Sequence, residues 1–243
     1  MKSFLIALQF LTILPVQIKS EIKPEDFGRS CLFFPLVGAL IGVLLAVFPG
    51  LFAFLPYPVI CVFILAAEII VTGGMHLDGF ADTCDGLYGF KNKERSLEIM
   101  RDSHIGTMAV VGVVVLLLLK FSLLFGIEQG SLWKALIMMA AFSRWAQTLA
   151  CFLADYPRQE GKAKYFIEHI SSREVLLGAI FTFFVFFILL KMQGIILFFL
   201  SLLTVLLWIN FIKAKINGMT GDTVGSVNEI AEVTVLLFIL ILA

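Results

Sequence analysis

The densest group of chemically capable side chains in this sequence is Gly73-Gly74-Met75-His76-Leu77-Asp78-Gly79-Phe80-Ala81-Asp82-Thr83-Cys84-Asp85-Gly86. On a helix, Asp78, Asp82 and Asp85 fall at i, i+4 and i+7 and share one face. Three carboxylates so placed repel one another unless a cation offsets them. Hard oxygen donors of this kind suit Mg²⁺, which keeps water and substrate phosphate oxygens in its shell. A solvated acidic loop is the plainer account, but it predicts scattered acids, not three in register among Phe80, Ala81 and small glycines. His76 is a proton carrier or phosphate contact by its nearness to these acids, against a packing or capping histidine. Glu68 sits upstream in an apolar run, and two readings of it stand level: it completes a metal shell, or it is a buried structural acid.

Two further polar segments and one isolated cation carry similar potential. In Arg101-Asp102-Ser103-His104-Ile105-Gly106-Thr107, Arg101 and His104 can meet phosphate oxygens, with Ser103 and the Gly106 backbone as added donors. Equally, Asp102 or Ser103 caps the next helix and Arg101 anchors it at the membrane face. In Asn217-Gly218-Met219-Thr220-Gly221-Asp222-Thr223-Val224-Gly225-Ser226-Val227-Asn228-Glu229-Ile230-Ala231-Glu232, glycines and hydroxyls open a helix, a setting that suits anions. Glu229 and Glu232 follow one turn apart. Glu232 would be costly in an apolar segment without a partner, which favours function over a plain turn and cap. Arg144, beside Trp145 and Gln147, lies too far inside an apolar run to be an end-of-helix snorkelling residue. It pairs with one of these acids or grips a phosphate.

The elements that must position these groups are apolar. Of 243 residues, 60% are hydrophobic and 15% charged, against about 25% charged in soluble domains. Apolar stretches cover roughly 3–18, 30–48, 50–72, 108–126, 132–153, 174–190, 193–212 and 229–243, judged against the ~20 residues that span a bilayer. The first and last are short and read as tilted, re-entrant or interfacial. Lipid admits no unpaired backbone, so the stretches are helices. The expectation is an all-α, polytopic bundle of about 6–8 apolar helices forming one domain, 1–243.

The linkers set the sidedness. Those at 19–29, 73–107, 154–173 and 213–228 carry Lys and Arg, while 49–58, 127–131 and 191–192 are short and nearly free of them. The two kinds alternate, so the charged ones share one face, and the positive-inside rule makes that face cytoplasmic. Every polar segment above then lies on the cytoplasmic side. The 18 basic and 18 acidic residues balance, which offers no support for nucleic-acid binding. Cys31, Cys61, Cys84 and Cys151 are scattered and read as small apolar residues of membrane helices. The opening apolar run follows a basic Lys2, but no small-residue cleavage site comes after it, so it reads as retained.

Taken together, the Gly-Gly-x-His-x-Asp-Gly-x-x-Asp-x-x-Asp-Gly run, Asp102-Ser103-His104-Ile105-Gly106-Thr107 and Thr220-Gly221-Asp222-Thr223-Val224-Gly225 with its two trailing glutamates resemble the cobalamin synthase (adenosylcobinamide-GDP ribazoletransferase) family. Ala7-Leu8-Gln9-Phe10-Leu11-Thr12 and Phe34-Pro35-Leu36-Val37-Gly38 fit the same family. The resemblance implies a multi-pass, Mg²⁺-dependent enzyme of the inner membrane. It joins α-ribazole or its 5′-phosphate to adenosylcobinamide-GDP, releases GMP and forms adenosylcobalamin or its 5′-phosphate. Its partners would be those two substrates and the bilayer, with room for other cobalamin-assembly enzymes or a second copy. On this footing Asp78, Asp82, Asp85 and Glu68 are metal candidates, and His76, Asp82, Asp85 and Arg144 catalytic ones. His76 or a metal-free acid would deprotonate the ribazole 3′-hydroxyl. Arg101, Asp102, Ser103, His104, Thr220, Asp222, Thr223, Glu229 and Glu232 are substrate-binding candidates, and Asp222, Glu229 and Glu232 either complete the metal site or bind sugar hydroxyls. The nearest rival is a CDP-alcohol phosphotransferase, which shares the start Asp82-x-x-Asp85-Gly86; no Ala-Arg follows Gly86 here. A corrinoid or cation transporter would also carry intramembrane acids, but no halves repeat.

Overall fold

The structure, a computed structural model, describes residues 1–89 and 92–242. Lys91, one of the expected linker cations, lies outside them. Chain order gives α1 (Lys2–Leu11), α2 (Pro24–Ser30), a 3-10 turn (Cys31–Phe33), α3 (Phe34–Leu45), α4 (Phe48–Leu51), α5 (Tyr57–Thr72), α6 (Met75–Leu87), α7 (Lys93–Ile99), α8 (Thr107–Gly126), α9 (Leu132–Leu153), α10 (Lys164–His169), α11 (Ser172–Ile216) and α12 (Gly221–Leu242). The described residues hold no strand, in keeping with the all-α expectation.

Among the described residues, five segments are long and apolar enough to cross a membrane: Pro24–Leu51, α8, α9, α11 and α12. The pair α5 and α6 passes the same test only when taken together, across a 92° bend, as a broken span or a re-entrant loop. α11 is nominally 45 residues, roughly 68 Å at the usual helical rise, far beyond a bilayer core of about 30 Å. At Lys191 its backbone leaves the helix (φ 53, ψ −127) and the chain turns back. The rings of Phe183 and Phe198 then meet at 5.5 Å between centroids, where an unbroken helix would hold them about 22 Å apart. The arms 172–190 and 192–216 therefore run antiparallel, as the two expected stretches 174–190 and 193–212 require.

Three element boundaries differ from the sequence expectation, the first of them the start of α5 at Tyr57 and not near 50. The opening helix stops at Leu11, not at 18, because Thr12 turns extended (φ −140, ψ 160) and the Ile13 amide donates to the Val71 carbonyl at 2.9 Å. At ten residues it spans about 15 Å, too little to cross. The last helix starts at Gly221, not near 229. Its first turns are polar and escape an apolarity criterion, yet they are buried against other helices. The bend between α5 and α6 has a local cause. Gly73 (φ 64) and Gly74 (φ 67) both take the left-handed conformation, which glycine adopts without the steric cost other residues meet.

α9 is the central helix, with Leu136, Met138, Ala140, Phe142 and Ala146 all buried. α3 reaches it through Gly38 and Gly42, four residues apart. A Cβ on Gly38 would lie 2.1 Å from the Ala140 carbonyl oxygen, and one on Gly42 2.6 Å from the Ile137 Cα. Small residues of this kind let membrane helices pack backbone to backbone. Outward-facing Val114, Leu118, Phe184, Ile188, Leu203 and Leu207 on α8 and α11 leave an apolar exterior, the inverse of a soluble protein and the surface lipid requires.

Candidate active site

A cavity of about 620 Å³ lies where the charged linkers meet. Asp78, His76 and Gly79 come to it from α6, Asp222 and Gly225 from α12, and Arg101, Arg158 and Lys162 from the linkers. One packing contact sets its geometry. Gly79 lets the start of α12 approach so closely that a Cβ there would stand 2.7 Å from the Asp222 carbonyl oxygen. That contact brings the Asp222 backbone against the α6 turn that carries Asp78 and Asp82. The start of α12 is held by reciprocal bonds: the Thr220 amide donates to Thr223 Oγ1 at 2.8 Å, and the Thr223 amide to Thr220 Oγ1 at 3.3 Å. Both threonines are buried, and Thr220 Oγ1 also donates to Asp222 Oδ2 at 3.2 Å.

Asp222 is balanced by a cation the sequence reading counted only as linker charge. Arg158 Nη1 donates to Asp222 Oδ2 at 3.0 Å, and Arg158 Nη2 to the Leu97 carbonyl at 3.4 Å. Its Nε is buried without a partner, and Arg158 lines the cavity. Asp82 is half-buried, and Asp222, Asp78 and Asp85 are the acids whose charge bears on it. The three α6 aspartates share a helix but not a destination. Asp78 is exposed to the cavity, whereas Asp85 accepts from the Gly106 amide at 2.6 Å and the Ala109 amide at 2.9 Å. Asp85 thereby caps the N-terminus of α8.

The remaining expected residues fall into two places. Asp102, Ser103 and His104 are exposed and, unlike Arg101, do not line the cavity. His104 Nδ1 and Asp102 Oδ1 are 2.6 Å apart. The hydrogen bond to Asp102 raises the His104 pKa, and the bonds from the His104 backbone and ring lower that of Asp102.

Glu68, Arg144, Glu229 and Glu232 form a buried ionic network with Lys120. Lys120 Nζ donates to Glu229 at 2.7 Å and Glu68 at 3.5 Å, and also to Glu232. Arg144 Nη1 donates to Glu232 and to Ser143 Oγ at 2.8 Å, with Glu68 3.8 Å away. Glu68 is thus joined to these cations, not to the α6 aspartates, because α5 and α6 part at the Gly73–Gly74 bend. A chain of amides links the network to the cavity. Asn228 donates to Glu232 at 2.9 Å, and Gln147 Nε2 donates to Asn228 Oδ1 at 2.8 Å and faces His76 Nε2 at 3.1 Å. His76 Nδ1 is buried without a partner.

Lys120 escaped the sequence reading, although a lysine inside an apolar run was signal enough. Gln147 and Asn228 gave no comparable signal, since neutral amides matter here only through their partners. Among the described residues, no three His, Cys, Asp or Glu side chains form a closed metal shell. Asp78 and Asp222 share the cavity and Asp82 feels both. That donor set suits an ion held by one or two carboxylates and completed by water and substrate oxygens.

Residues 3–240, which include every group of the cavity and the network, match the cobalamin-5-phosphate synthase family. The chain belongs to that family. Cobalamin-5-phosphate synthase relatives include the adenosylcobinamide-GDP ribazoletransferase of Alkaliphilus metalliredigens, 38% identical over 246 residues, spanning 100% of this chain and 96% of that protein. That of Acetivibrio thermocellus is 37% identical over 234 residues, 96% and 94% of the two chains. That of Geotalea daltonii is 37% identical over 238 residues, 98% and 96%. No solved structure matches the chain.

Proposed function

We propose that this protein transfers α-ribazole, or α-ribazole 5′-phosphate, to adenosylcobinamide-GDP with release of GMP, closing the nucleotide loop of cobalamin. The reading comes from the names of the full-length relatives. The observation that carries it on the structural side is the single cavity into which Asp78 and Asp222 project together with Arg101, Arg158 and Lys162. Transfer of this kind needs both signs of charge: cations to hold a diphosphate, and a carboxylate to take a proton from the incoming hydroxyl.

In this reading the acceptor hydroxyl oxygen attacks the phosphorus next to the cobinamide arm. The new O–P bond forms as the bond to the GMP oxygen breaks, and the hydroxyl proton passes to Asp82, the α6 acid left free of the metal. Arg101, Arg158 and Lys162 meet the phosphate oxygens. Mg²⁺, held by Asp78 and Asp222, would supply neutralisation of the charge that develops on the leaving phosphate. His76 is buried against Gln147 and acts by orienting α6, and Arg144 is held by Glu232 away from the phosphates. The positive linkers that form the cavity mouth support a cytoplasm-facing site in the inner membrane.

The test is a product assay on membranes containing the protein, supplied with adenosylcobinamide-GDP, α-ribazole and Mg²⁺. Joint appearance of cobalamin and GMP, lost with EDTA and restored by Mg²⁺, is the expected result. Inserted, folded protein that yields neither product from either acceptor form would overturn the reading, and EDTA-resistant turnover would overturn the metal assignment.

A further inference from the structure

The same cavity has a second wall of different chemistry. Phe10 from α1, Phe34 from α3 and Phe166 from α10 line it beside the charged groups. They form one aromatic cluster. Phe10 meets Phe166 at 4.5 Å and Phe34 at 5.9 Å between ring centroids, and Phe34 meets Phe166 at 5.7 Å. Phe34 and Phe166 are buried at 1% and 3% exposure, while Phe10 is half-exposed. Phe10 is therefore the ring with a face to offer, and the other two back it and limit its movement.

We infer that the Phe10–Phe34–Phe166 wall is the subsite for the planar base of the acceptor nucleoside, with Phe10 as the stacking surface. The assignment rests on the transferase reading above and adds to it which substrate occupies which wall. Both substrates carry a planar base. Guanine has a hydrogen-bonding edge that loses affinity where no partner meets it, and a hydrocarbon wall offers none. The dimethylbenzimidazole of ribazole is almost entirely apolar and gains from burial on such a wall. The corrin ring is wide and fringed with amides, and suits the open mouth better than a recess walled by three phenyl groups. A ribazole base seated here leaves its ribose directed out of the apolar recess toward the carboxylates of α6 and α12.

The experiment compares wild type with Phe10→Leu and Phe10→Trp, and with Phe4→Leu as control. The Phe4 ring pairs with Phe33 and does not line the cavity. Phe10→Leu should raise the KM for α-ribazole by roughly fivefold to a hundredfold, the range of a lost base–aromatic stack. The KM for adenosylcobinamide-GDP should stay unchanged, Phe10→Trp should remain within about threefold of wild type, and Phe4→Leu should match it. Equilibrium dialysis of α-ribazole alone against the detergent-purified protein provides a second readout, with binding expected for wild type and Phe10→Trp and weakened in Phe10→Leu. A selective rise in the KM for adenosylcobinamide-GDP would give the wall to guanine and overturn the inference, as would an unchanged KM for α-ribazole, while product formation left the transferase reading intact. Binding of α-ribazole that depends on Phe10, without any product, would sustain the subsite and sink the transferase reading.

Discussion

Lys120 lies within an apolar twenty-residue helix and faces Glu68, Glu229 and Glu232 from two others. With Arg144 the network holds two cations against three carboxylates, so the partners are not equivalent. Lys120→Met leaves three acids around one arginine and should destabilise the protein by about 3–5 kcal/mol, the usual cost of breaking a buried pair from one side. Glu68→Gln leaves two charges of each sign and should cost less than half of that. Thermal unfolding of the purified protein in detergent ranks the two variants, and the reverse order would show that the excess negative charge is needed. Asp82 stands one helical turn beyond Asp78, which lines the cavity, and apart from this network. Asp82→Asn should lower turnover by at least about 100-fold, within the range of a lost proton acceptor, without loss of membrane insertion. Near-normal turnover of that variant would remove Asp82 from the chemistry.

At the scale of elements, two glycines of one helix region act for different reasons. Gly74 is needed for conformation. Its φ is 67, but the nearest atom to an added Cβ is 3.8 Å away, so only the backbone would be strained. Gly74→Ala should cost about 1–2 kcal/mol, the penalty of a left-handed non-glycine residue, and Gly74→Asn, which tolerates that region, should cost less. Gly79 is needed for space. Its Cβ would meet backbone atoms of Asp222 at 2.7 and 3.0 Å, and a backbone held by α12 cannot yield as a side chain can. Gly79→Ala should therefore separate α6 from α12, costing about 1–3 kcal/mol and moving Asp222 away from the carboxylates of α6. Turnover should fall more than stability in Gly79→Ala, and stability more than turnover in Gly74→Ala. Denaturation and kinetics on the same preparations separate the two causes.

At the scale of the whole molecule, the concentration of Lys and Arg in alternate linkers becomes a physical asymmetry. The cavity and its cations occupy one end, and Glu128, Ser131 and Lys134 lie together at a smaller cavity of about 400 Å³ beside the turn near Lys191. The native thiols are poor background targets, since Cys31, Cys61 and Cys151 are buried and Cys84 is half-buried. Cysteines introduced at exposed Lys162 and Glu128 should thus report the two sides. An impermeant maleimide added to intact cells should label Glu128→Cys, and should label Lys162→Cys only after permeabilisation. Labelling of Lys162→Cys in intact cells would invert the orientation and place the cavity outside.

Much was legible in the residues alone, because lipid imposes rules that composition must obey. Long apolar runs had to be helices, Lys and Arg in alternate linkers had to share a side, and the spacing of Asp78, Asp82 and Asp85 put them on one stretch of helix. The all-helical fold and the membership of the family agree with that reading. Helix ends were less legible where polar residues are buried by partners, as at Gly221–Glu232, or where an apolar run turns extended, as at Thr12. The destinations of the charged groups were legible only as alternatives, such as Arg144 paired with an acid or gripping a phosphate. Glu68, Glu229, Glu232 and Arg144 carry the same chemistry whether they hold a substrate or one another, and only the packing of α5, α8, α9 and α12 decided for one another. Asp85 in the same way was drawn to the amides of α8, and Arg158, far from Asp222 in the chain, was brought to it at 3.0 Å. Local sequence determined which side chains were available and which segments lipid could hold, because hydropathy and charge act residue by residue. Which of them meet depended on helix contacts between distant segments, and those exist only in the folded molecule.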